Sequence, residues 1–343
     1  MAELEIRTVT DSSTEAIGAL YAEVGFRPGL VIDAFFVRDV LGGAVFAGLV
    51  GGRTVAAAVA LPFPGTGWLG GIAVSPDYQR RGFGEVVTTH AMRWLAARGA
   101  VTLQLNATKA GLPLYQRLGF RVEGESAQFS GMVPVTVATD AAGQVRAAVT
   151  ADLPVAIELD RAATGEDRSS LLESAWPNAA YARVYESRAD RRVIGYQLAR
   201  DPGSLGAIIT DGSAEAEGFL AALLSGAAGV ADGAEVEGGD EASAPGASGA
   251  SRASDETGAS GASGVIGVSG ASGVIRATKV TGAAEATGAG TRTICLPLDN
   301  TAAVDQLRAA GFQESLRTTR MYAGPRVSWV PGRLVGMFNL FWS

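Results

Sequence analysis

The sequence predicts an α/β protein of the α+β type, with two domains in which helices flank mixed sheets. The chain has 343 residues, which suggests two domains at roughly 150 residues each. Strand-like and helix-like patterns alternate over the first 130 residues, and the same order begins again near residue 140. This alternation is typical of layered α/β folds rather than of helical bundles or β-sandwiches.

The first block begins with a strand-like run at Leu4–Val9 and a helical segment at Glu15–Val24, which Ser12 and Ser13 can cap. A second helical segment runs from Pro28 to Leu41. Three β-rich runs separated by Gly and Pro follow at Ala44–Val50, Thr54–Leu61 and Trp68–Val74. The next elements are a helix at 83–98, a strand at Val101–Leu105, a short helix at Leu112–Leu118 and a strand at Arg121–Phe129.

The second block repeats this order more faintly. Its expected strands are Val145–Val149, Ala182–Tyr185, Val193–Leu198, Leu205–Thr210, Thr293–Leu298 and Phe312–Tyr322. Its expected helices are Ala151–Ala163, Ser169–Ala175, Ala214–Leu224 and Thr301–Ala310.

Residues 226–290 form an insertion without any aromatic residue, in which Gly-Ala-Ser-Gly occurs four times. Such a composition buries too little apolar surface to offset the entropy of ordering, so we expect a disordered loop. The predicted domains are therefore 1–137, a second domain 138–326 that contains this insertion, and an apolar tail 327–343 that packs back on the second domain.

Composition restricts the function. The net charge of −7 argues against nucleic acid or an anionic membrane as partners. One cysteine and one histidine leave few soft metal ligands, so no metal is expected. The chain shows neither a signal peptide nor an apolar run of membrane-spanning length, and we expect a cytoplasmic protein.

The most informative segment is a strand ending at Val74, a turn with Pro76, and the sequence Gln-Arg-Arg-Gly-Phe-Gly at 79–84 before an amphipathic helix. Glycines allow the backbone to turn there. The N–H groups and dipole of a helix N-terminus then favour a diphosphate. A dinucleotide-binding loop is the competing interpretation, but it needs a third glycine where Val87 stands.

This segment resembles the coenzyme signature of the GNAT superfamily, Gln/Arg-x-x-Gly-x-Gly/Ala, through Gln79, Gly82 and Gly84. A second landmark of that family, a helix with Tyr that closes in Gly-Phe, is matched by Leu114–Phe120. The resemblance covers residues 1 to about 130. It implies an acyl-CoA N-acyltransferase fold, acetyl-CoA as cosubstrate, and a small-molecule or peptide amine as acceptor, and it leaves a homo-oligomer open.

The resemblance also implies roles for individual residues. Tyr115 is the expected general acid for the coenzyme thiolate, and the main-chain N–H of Val74 is expected to polarise the thioester carbonyl. The implied coenzyme-binding residues are Ile72, Ala73, Val74, Gln79, Arg80, Arg81, Gly82, Phe83, Gly84, Asn106 and Tyr115.

The residue that deprotonates the acceptor amine is not assigned. Carboxylates are available at Glu23, Asp33, Asp39, Glu123 and Glu125. The turn Thr164–Arg168 resembles one in tandem bacterial acetyltransferases, where Glu166 or Arg168 could touch an acceptor. A capped turn into a helix is the simpler interpretation.

A shift of 192 residues places Leu118-Gly119-Phe120 on Ala310-Gly311-Phe312, which predicts a second GNAT-like fold in tandem. The copy is degenerate, because 210–217 carries three carboxylates instead of the glycine signature and Leu307 replaces Tyr115. The expected function is N-acetyl transfer by direct attack. The alternatives are an acetyl-CoA sensor or structural module, and an acetyltransferase of the mycothiol-synthase type.

Overall fold

The computed structural model describes residues 3–10, 14–26, 29–133, 144–224 and 290–340. The predicted insertion 226–290 lies outside the described residues except for Gly290, and the predicted boundary at 137/138 lies outside them too. The helices are α1 (Thr14–Glu23), α2 (Gly29–Asp39), α3 (Phe83–Ala96), α4 (Leu112–Arg117), α5 (Leu153–Thr164), α6 (Ser169–Ala175), α7 (Gly218–Leu224) and α8 (Thr301–Ala309).

The strands follow the predicted order, with one further strand in the apolar tail that was not predicted. They are β1 (Glu5–Thr8), β2 (Ala44–Val50), β3 (Arg53–Phe63), β4 (Thr66–Val74), β5 (Thr102–Ala107), β6 (Arg121–Val133), β7 (Val145–Ala147), β8 (Tyr181–Glu186), β9 (Val193–Ala199), β10 (Ala207–Thr210), β11 (Gly290–Pro297), β12 (Gln313–Ala323) and β13 (Leu334–Gly336).

The larger sheet has the order β1-β2-β3-β4-β5-β12-β6-β11. Only its β4–β5 pair is parallel among the described pairings, and β12 lies antiparallel to both β5 and β6. β11 pairs with the other edge of β6. Strands from both ends of the chain therefore share one sheet, and the hydrogen bonding does not divide where the two predicted domains meet.

The smaller sheet has the order β13-β10-β9-β8-β7. Its edge strand β13 belongs to the apolar tail and pairs antiparallel with β10. A further bridge joins Met337 to Cys295 in β11. The tail thus packs against the second half of the chain, as its composition predicts, because Leu334, Val335 and Met337 are buried there.

The mixed architecture of sheets flanked by helices agrees with the prediction. One core packs α1, α2, α5 and α6 together around Trp68 and Tyr196. On the opposite face of the larger sheet, α3 and α4 bury Val87, Leu95 and Tyr115. A further core surrounds Phe219 and Leu307 in the second half.

The predicted helix Ala214–Leu224 is wrong in its first turn. Residues Glu215–Glu217 form a 3₁₀ turn, and the α-helix begins at Gly218. Glycine costs about 1 kcal/mol relative to alanine inside a helix, which favours a break at this position. Among the described helices, none has the length and apolarity needed to cross a membrane.

The two halves repeat some local geometry. Gly119 and Gly311 both have positive φ, at 91° and 83°. The next residue in each case, Phe120 or Phe312, donates its N–H to the carbonyl five residues earlier at 2.9 Å. The predicted spacing of 192 residues therefore matches equivalent helix ends.

Candidate active site

The site is built where β4 and β5 separate. The parallel pairing between them covers Thr66 with Thr102, Gly67 with Leu103, and Trp68 with Gln104. Both strands continue beyond the last of these pairs while they bond to other neighbours. The facing edges beyond Trp68 therefore offer backbone donors and acceptors to a ligand rather than to each other.

A bulge bends β4 at this opening. Gly71 has φ of 54°, in the left-handed region that glycine adopts without strain, and the β3–β4 register shifts opposite it. The hydroxyl of Tyr21 in α1 donates to the Gly71 carbonyl at 2.9 Å. The helix α1 thus fixes the bend from one face of the sheet.

The end of β4 directs Val74 toward the open edge. The N–H of Ser75 donates to Val55 in β3 at 2.8 Å. Because backbone groups alternate in direction along an antiparallel strand, the N–H and carbonyl of Val74 point away from β3. The side-chain amide of Gln79 donates to this carbonyl at 3.1 Å, so Gln79 braces the strand end.

The bend before α3 has a left-handed backbone at two positions. Arg80 has φ of 60° and Gly82 has φ of 84°. Gly82 is the residue that caps α3, and no side-chain hydrogen bond caps this helix. The first N–H groups of a helix have no partner within the helix, so the turn presents donors that an anion can occupy.

The side chains around this bend divide into exposed and buried ones. Arg80 and Arg81 are exposed, and Arg81 donates to the Asp77 carbonyl at 2.7 Å and lies 5.0 Å from the Tyr78 ring. Phe83 is buried and stacks on Tyr78 with centroids 6.3 Å apart. The Phe83 side chain therefore anchors the helix in the core. Only the backbone of Phe83 is left to contact a ligand.

Tyr115 in α4 is buried in the core on the same face of the sheet as α3. Its side chain is 8% exposed, and burial raises the pKa of its phenol, which keeps the hydroxyl protonated at neutral pH. A Cβ on Gly111 would lie 2.8 Å from the Tyr115 ring, so glycine at 111 makes room for the ring.

The structure brings the ends of β4, α3 and α4 together. A Cβ on Gly84 would lie 3.4 Å from the Leu114 side chain and 3.6 Å from that of Val74. Of the other predicted residues, Ile72 is half-buried, Ala73 is buried and faces the α1 side, and Asn106 is half-buried opposite Arg320 of β12.

Comparison with known families agrees with this geometry. Residues 14–120 match the model of the acetyltransferase (GNAT) family. Residues 14–120 are therefore similar to a GNAT acetyltransferase domain. This match contains the bend at 79–84, Tyr115 and the opening between β4 and β5.

Curated relatives are named N-acetyltransferases. The uncharacterized N-acetyltransferase YitH of Bacillus subtilis is 31% identical over 163 residues, which are 46% of this chain and 56% of the relative. The ribosomal protein bS18-alanine N-acetyltransferase of Salmonella typhimurium is 46% identical over 52 residues, which are 14% of this chain and 35% of the relative. The chain thus spans about half or less of the length of these relatives.

Solved structures share the fold over nearly the whole chain. A Pyrococcus horikoshii protein assigned as an acetyltransferase aligns with 99% of this chain and 96% of its own at a TM-score of 0.68 and 17% identity. A GCN5-related N-acetyltransferase from Sphaerobacter thermophilus aligns with 96% of this chain and 98% of its own at a TM-score of 0.59 and 14% identity. At these identities the likeness establishes the fold alone.

A residue of the second half, which the sequence marked only weakly, contacts β4 and β5 of the first half. Glu166 follows α5 and is 2% exposed. Its carboxylate accepts hydrogen bonds from the Thr66 hydroxyl at 2.5 Å, the Trp68 indole at 3.1 and 3.2 Å, and the Gln104 amide at 2.8 Å. These four residues, here called the Glu166 cluster, lie where the β4–β5 pairing ends, so the turn is more than a helix cap.

Two buried guanidiniums flank the Glu166 cluster. Arg168 bonds both oxygens of Asp160 at 2.7 and 2.9 Å. Arg320 bonds Glu123 at 2.8 Å and the Gln104 carbonyl oxygen at 2.6 Å. Each guanidinium therefore forms its ion pair with a carboxylate other than Glu166. Burial raises the pKa of the Glu166 carboxyl.

The carboxylates that the sequence offered as bases are each paired with arginine. Glu123 and Glu125 differ, because the Glu123 side chain is 1% exposed and the Glu125 side chain is 51% exposed. The ion pairs are Arg53–Glu23, Arg200–Asp33, Arg38–Asp39, Arg320–Glu123 and Arg317–Glu125.

The second half also has a cavity of about 380 Å³ near the counterpart of the coenzyme bend. Asp211, Glu217 and Asp299 line it, together with Arg333. Three carboxylates disfavour a diphosphate there, and Leu307, fully buried, stands where the first half has Tyr115. We therefore place the candidate active site in the first half.

Proposed function

We propose that the chain transfers the acetyl group of acetyl-CoA to a primary amine by direct attack. The observation that carries this proposal is the left-handed bend at Arg80–Gly82, which opens the uncapped α3 directly after β4. A diphosphate fits such a helix N-terminus through backbone donors and the helix dipole. The exposed Arg80 and Arg81 add positive charge beside it.

The acetyl end of the coenzyme would lie along the open edge of β4. The N–H of Val74 points to this edge, and one oriented donor stabilises the negative charge that develops on a thioester oxygen. The main chain of Ile72 faces the same edge near the bulge, and Ala73, whose backbone groups face β3, lies between Ile72 and Val74. These strand residues would hold the pantetheine arm.

Tyr115 would act as the general acid. Its hydroxyl is protonated at neutral pH because burial raises its pKa, and general acids contribute about 10²–10⁴-fold to a rate. The phenol would protonate the coenzyme sulfur as the C–S bond breaks. Asn106, on the facing strand, would contact the coenzyme.

The acceptor class is a primary amine on a small molecule or a peptide. The short match to a ribosomal protein alanine N-acetyltransferase makes a peptide with N-terminal alanine one reasonable acceptor. The chain as a whole spans only part of that relative, so a panel of small amines belongs beside the peptide.

The test uses the full chain, acetyl-CoA and this amine panel, with release of free coenzyme thiol as the readout and calorimetry for coenzyme binding. Transfer to at least one amine supports the proposal. Tight coenzyme binding without transfer to any amine would favour a sensor or structural module instead. Absence of both would refute the placement of the coenzyme.

A further inference from the structure

We propose that Glu23, at the end of α1, receives the ammonium group of the acceptor and takes its proton. This inference rests on the proposed acetyl transfer. An alkyl amine with a pKa near that of lysine, about 10.4, is almost fully protonated at neutral pH. An ammonium has no lone pair with which to attack, so the reaction requires a carboxylate or another base close to the thioester.

The position of Glu23 is the first argument. The Ser75 hydroxyl donates to Glu23 Oε1 at 2.7 Å, and Ser75 follows Val74 directly, with Cα atoms about 3.8 Å apart. The carboxylate is therefore bonded to the residue next to the main-chain N–H that would bind the thioester oxygen. On the same helix, Tyr21 donates to the Gly71 carbonyl, so α1 contacts β4 before and after the residues of the open edge.

The exposure of Glu23 is the second argument. Its side chain is 34% exposed, and Val74 is partly exposed as well. An amine that arrives from solvent can therefore contact the carboxylate without entering the core. The second oxygen, Oε2, accepts no hydrogen bond from the part of the chain that the structure describes, so this oxygen is available to an ammonium.

The face of the sheet is the third argument. Ala73 packs with the core residues of α1, whereas Val74 and Tyr115 pack with α3 on the opposite face. Ser75 lies on the same face as Ala73, because side chains alternate along a strand. Glu23 and the proposed general acid are therefore on opposite faces of β4, so the acceptor and the coenzyme reach the thioester without competing for space.

The ion pair of Glu23 is looser than those of the other carboxylates considered earlier. An Arg53 nitrogen lies 3.6 Å from Glu23 Oε1, whereas the corresponding distances for the other four carboxylates are 2.5 to 3.5 Å. The Arg53 side chain is 55% exposed, so solvent and salt screen this pair.

Arg53 is also the charged group that faces Glu23 from a neighbouring element in the described ranges. The titratable groups nearby are Tyr21 on α1 and Tyr78, whose ring centroid lies 5.8 Å from the Arg53 guanidinium.

The proton balance is closed by the residues named. Glu23 accepts one proton from the ammonium, and the amine lone pair forms the C–N bond. The C–S bond breaks with its electron pair on sulfur, which Tyr115 protonates. The second N–H proton, released as the amide forms, returns to Tyr115 through water, and the partly exposed Glu23 passes its proton to solvent.

The decisive variant is Glu23→Gln, with Glu15→Gln as the matched control on the same helix. Glu15 is exposed in the first turn of α1, about 12 Å from Glu23 along the helix axis. The acceptor is the alkyl amine of the panel that the wild type acetylates fastest. We expect Glu23→Gln to lower kcat/KM by about 10²–10³-fold at neutral pH and to leave the coenzyme Kd within about twofold. The control should match the wild type in both.

The pH dependence separates proton transfer from packing. The unprotonated fraction of an alkyl amine rises about tenfold with each pH unit below its pKa, and a variant without the base depends on that fraction. The deficit of Glu23→Gln relative to the wild type should therefore shrink by at least about tenfold between about pH 7 and pH 9. A residue that only packs would keep the same deficit at both pH values and would lower the melting temperature.

A second variant tests the position of the carboxylate. Ser75→Ala removes the hydroxyl that holds Glu23 Oε1 and leaves the carboxylate in place. We expect kcat/KM to fall by about tenfold, which corresponds to the loss of one hydrogen bond to a charged group. Because the base is still present, this deficit should be the same at both pH values.

Failure of this inference differs from failure of the proposed function. Wild-type transfer together with a fully active Glu23→Gln, or with a Glu23→Gln deficit that does not change with pH, would overturn the role of Glu23 alone. If Glu23→Gln does not fold, full activity of Ser75→Ala would overturn it. A wild type without transfer to any amine would overturn both.

Discussion

The bend at Gly82 allows a charge test of the proposed diphosphate site. Gly82 has φ of 84°, and a Cβ added there would meet nothing within 4 Å. Asn and Asp visit the left-handed region more readily than other side chains and have nearly the same shape. The pair Gly82→Asn and Gly82→Asp therefore differs mainly by one negative charge.

The expected magnitude follows from the exposure of this bend. Gly82 is exposed, so the dielectric is close to that of water, and two unit charges at 4 Å interact by about 1 kcal/mol. Because a diphosphate carries two negative charges, the aspartate should weaken the binding free energy of acetyl-CoA by about 2 kcal/mol relative to asparagine. This corresponds to a Kd about 30-fold higher. Calorimetric titration with acetyl-CoA at low salt measures this difference.

Gly99 provides the matched control. It has φ of 86°, has nothing within 4 Å of an added Cβ, and lies just beyond the other end of α3. A 14-residue helix is about 21 Å long, which exceeds the Debye length of about 10 Å at 0.1 M salt. Gly99→Asp and Gly99→Asn should bind the coenzyme alike. Equal affinities for the two Gly82 variants would refute the placement of the diphosphate.

Three further outcomes are expected. Tyr115→Phe should lower kcat by about 10²–10⁴-fold with little change in coenzyme Kd, and single-turnover kinetics in which thiol release is unaffected would exclude it as the acid. Glu123→Gln leaves the buried Arg320 without its carboxylate and should cost about 3–5 kcal/mol in urea unfolding. The neighbouring Glu125→Gln removes only an exposed pair and should cost under about 1 kcal/mol, so equal costs would contradict the buried network. Because the folded chain raises the pKa of Glu166 above 4.5, its contribution to stability is full below that value and is lost as pH rises through the folded pKa. The wild type should therefore lose stability relative to Glu166→Gln as the pH rises above 4.5, and a constant difference would show that the carboxyl does not titrate there.

Local pattern was enough to predict most elements of the first half. Apolar periodicity and the glycines place α3 and the strands around it within a few residues of their observed ends. The signature at Gln79–Gly84 also indicates the bend, because the positive φ values found there require glycine or a strained residue. The helix with Tyr115 follows from the same kind of local information.

The pairing of distant strands could not be predicted in this way. Nothing in the pattern of Gln313–Ala323 shows that β12 lies between β5 and β6, since strand neighbours more than 180 residues apart leave no local trace. The contacts of Glu166 were not predicted for the same reason. Its partners Thr66, Trp68 and Gln104 are about 60 to 100 residues away along the chain, and only the three-dimensional arrangement brings its carboxyl to the β4–β5 pair.

The position of β12 has a consequence for synthesis on the ribosome. Until residue 323 has emerged, β5 and β6 each expose an edge that β12 will later cover, and exposed edges are prone to pair with other chains. Contacts of such long sequence separation also slow folding. A nascent chain that already contains the whole coenzyme signature therefore still lacks part of its sheet, and the first half gains its full sheet only after β12 has also been synthesised.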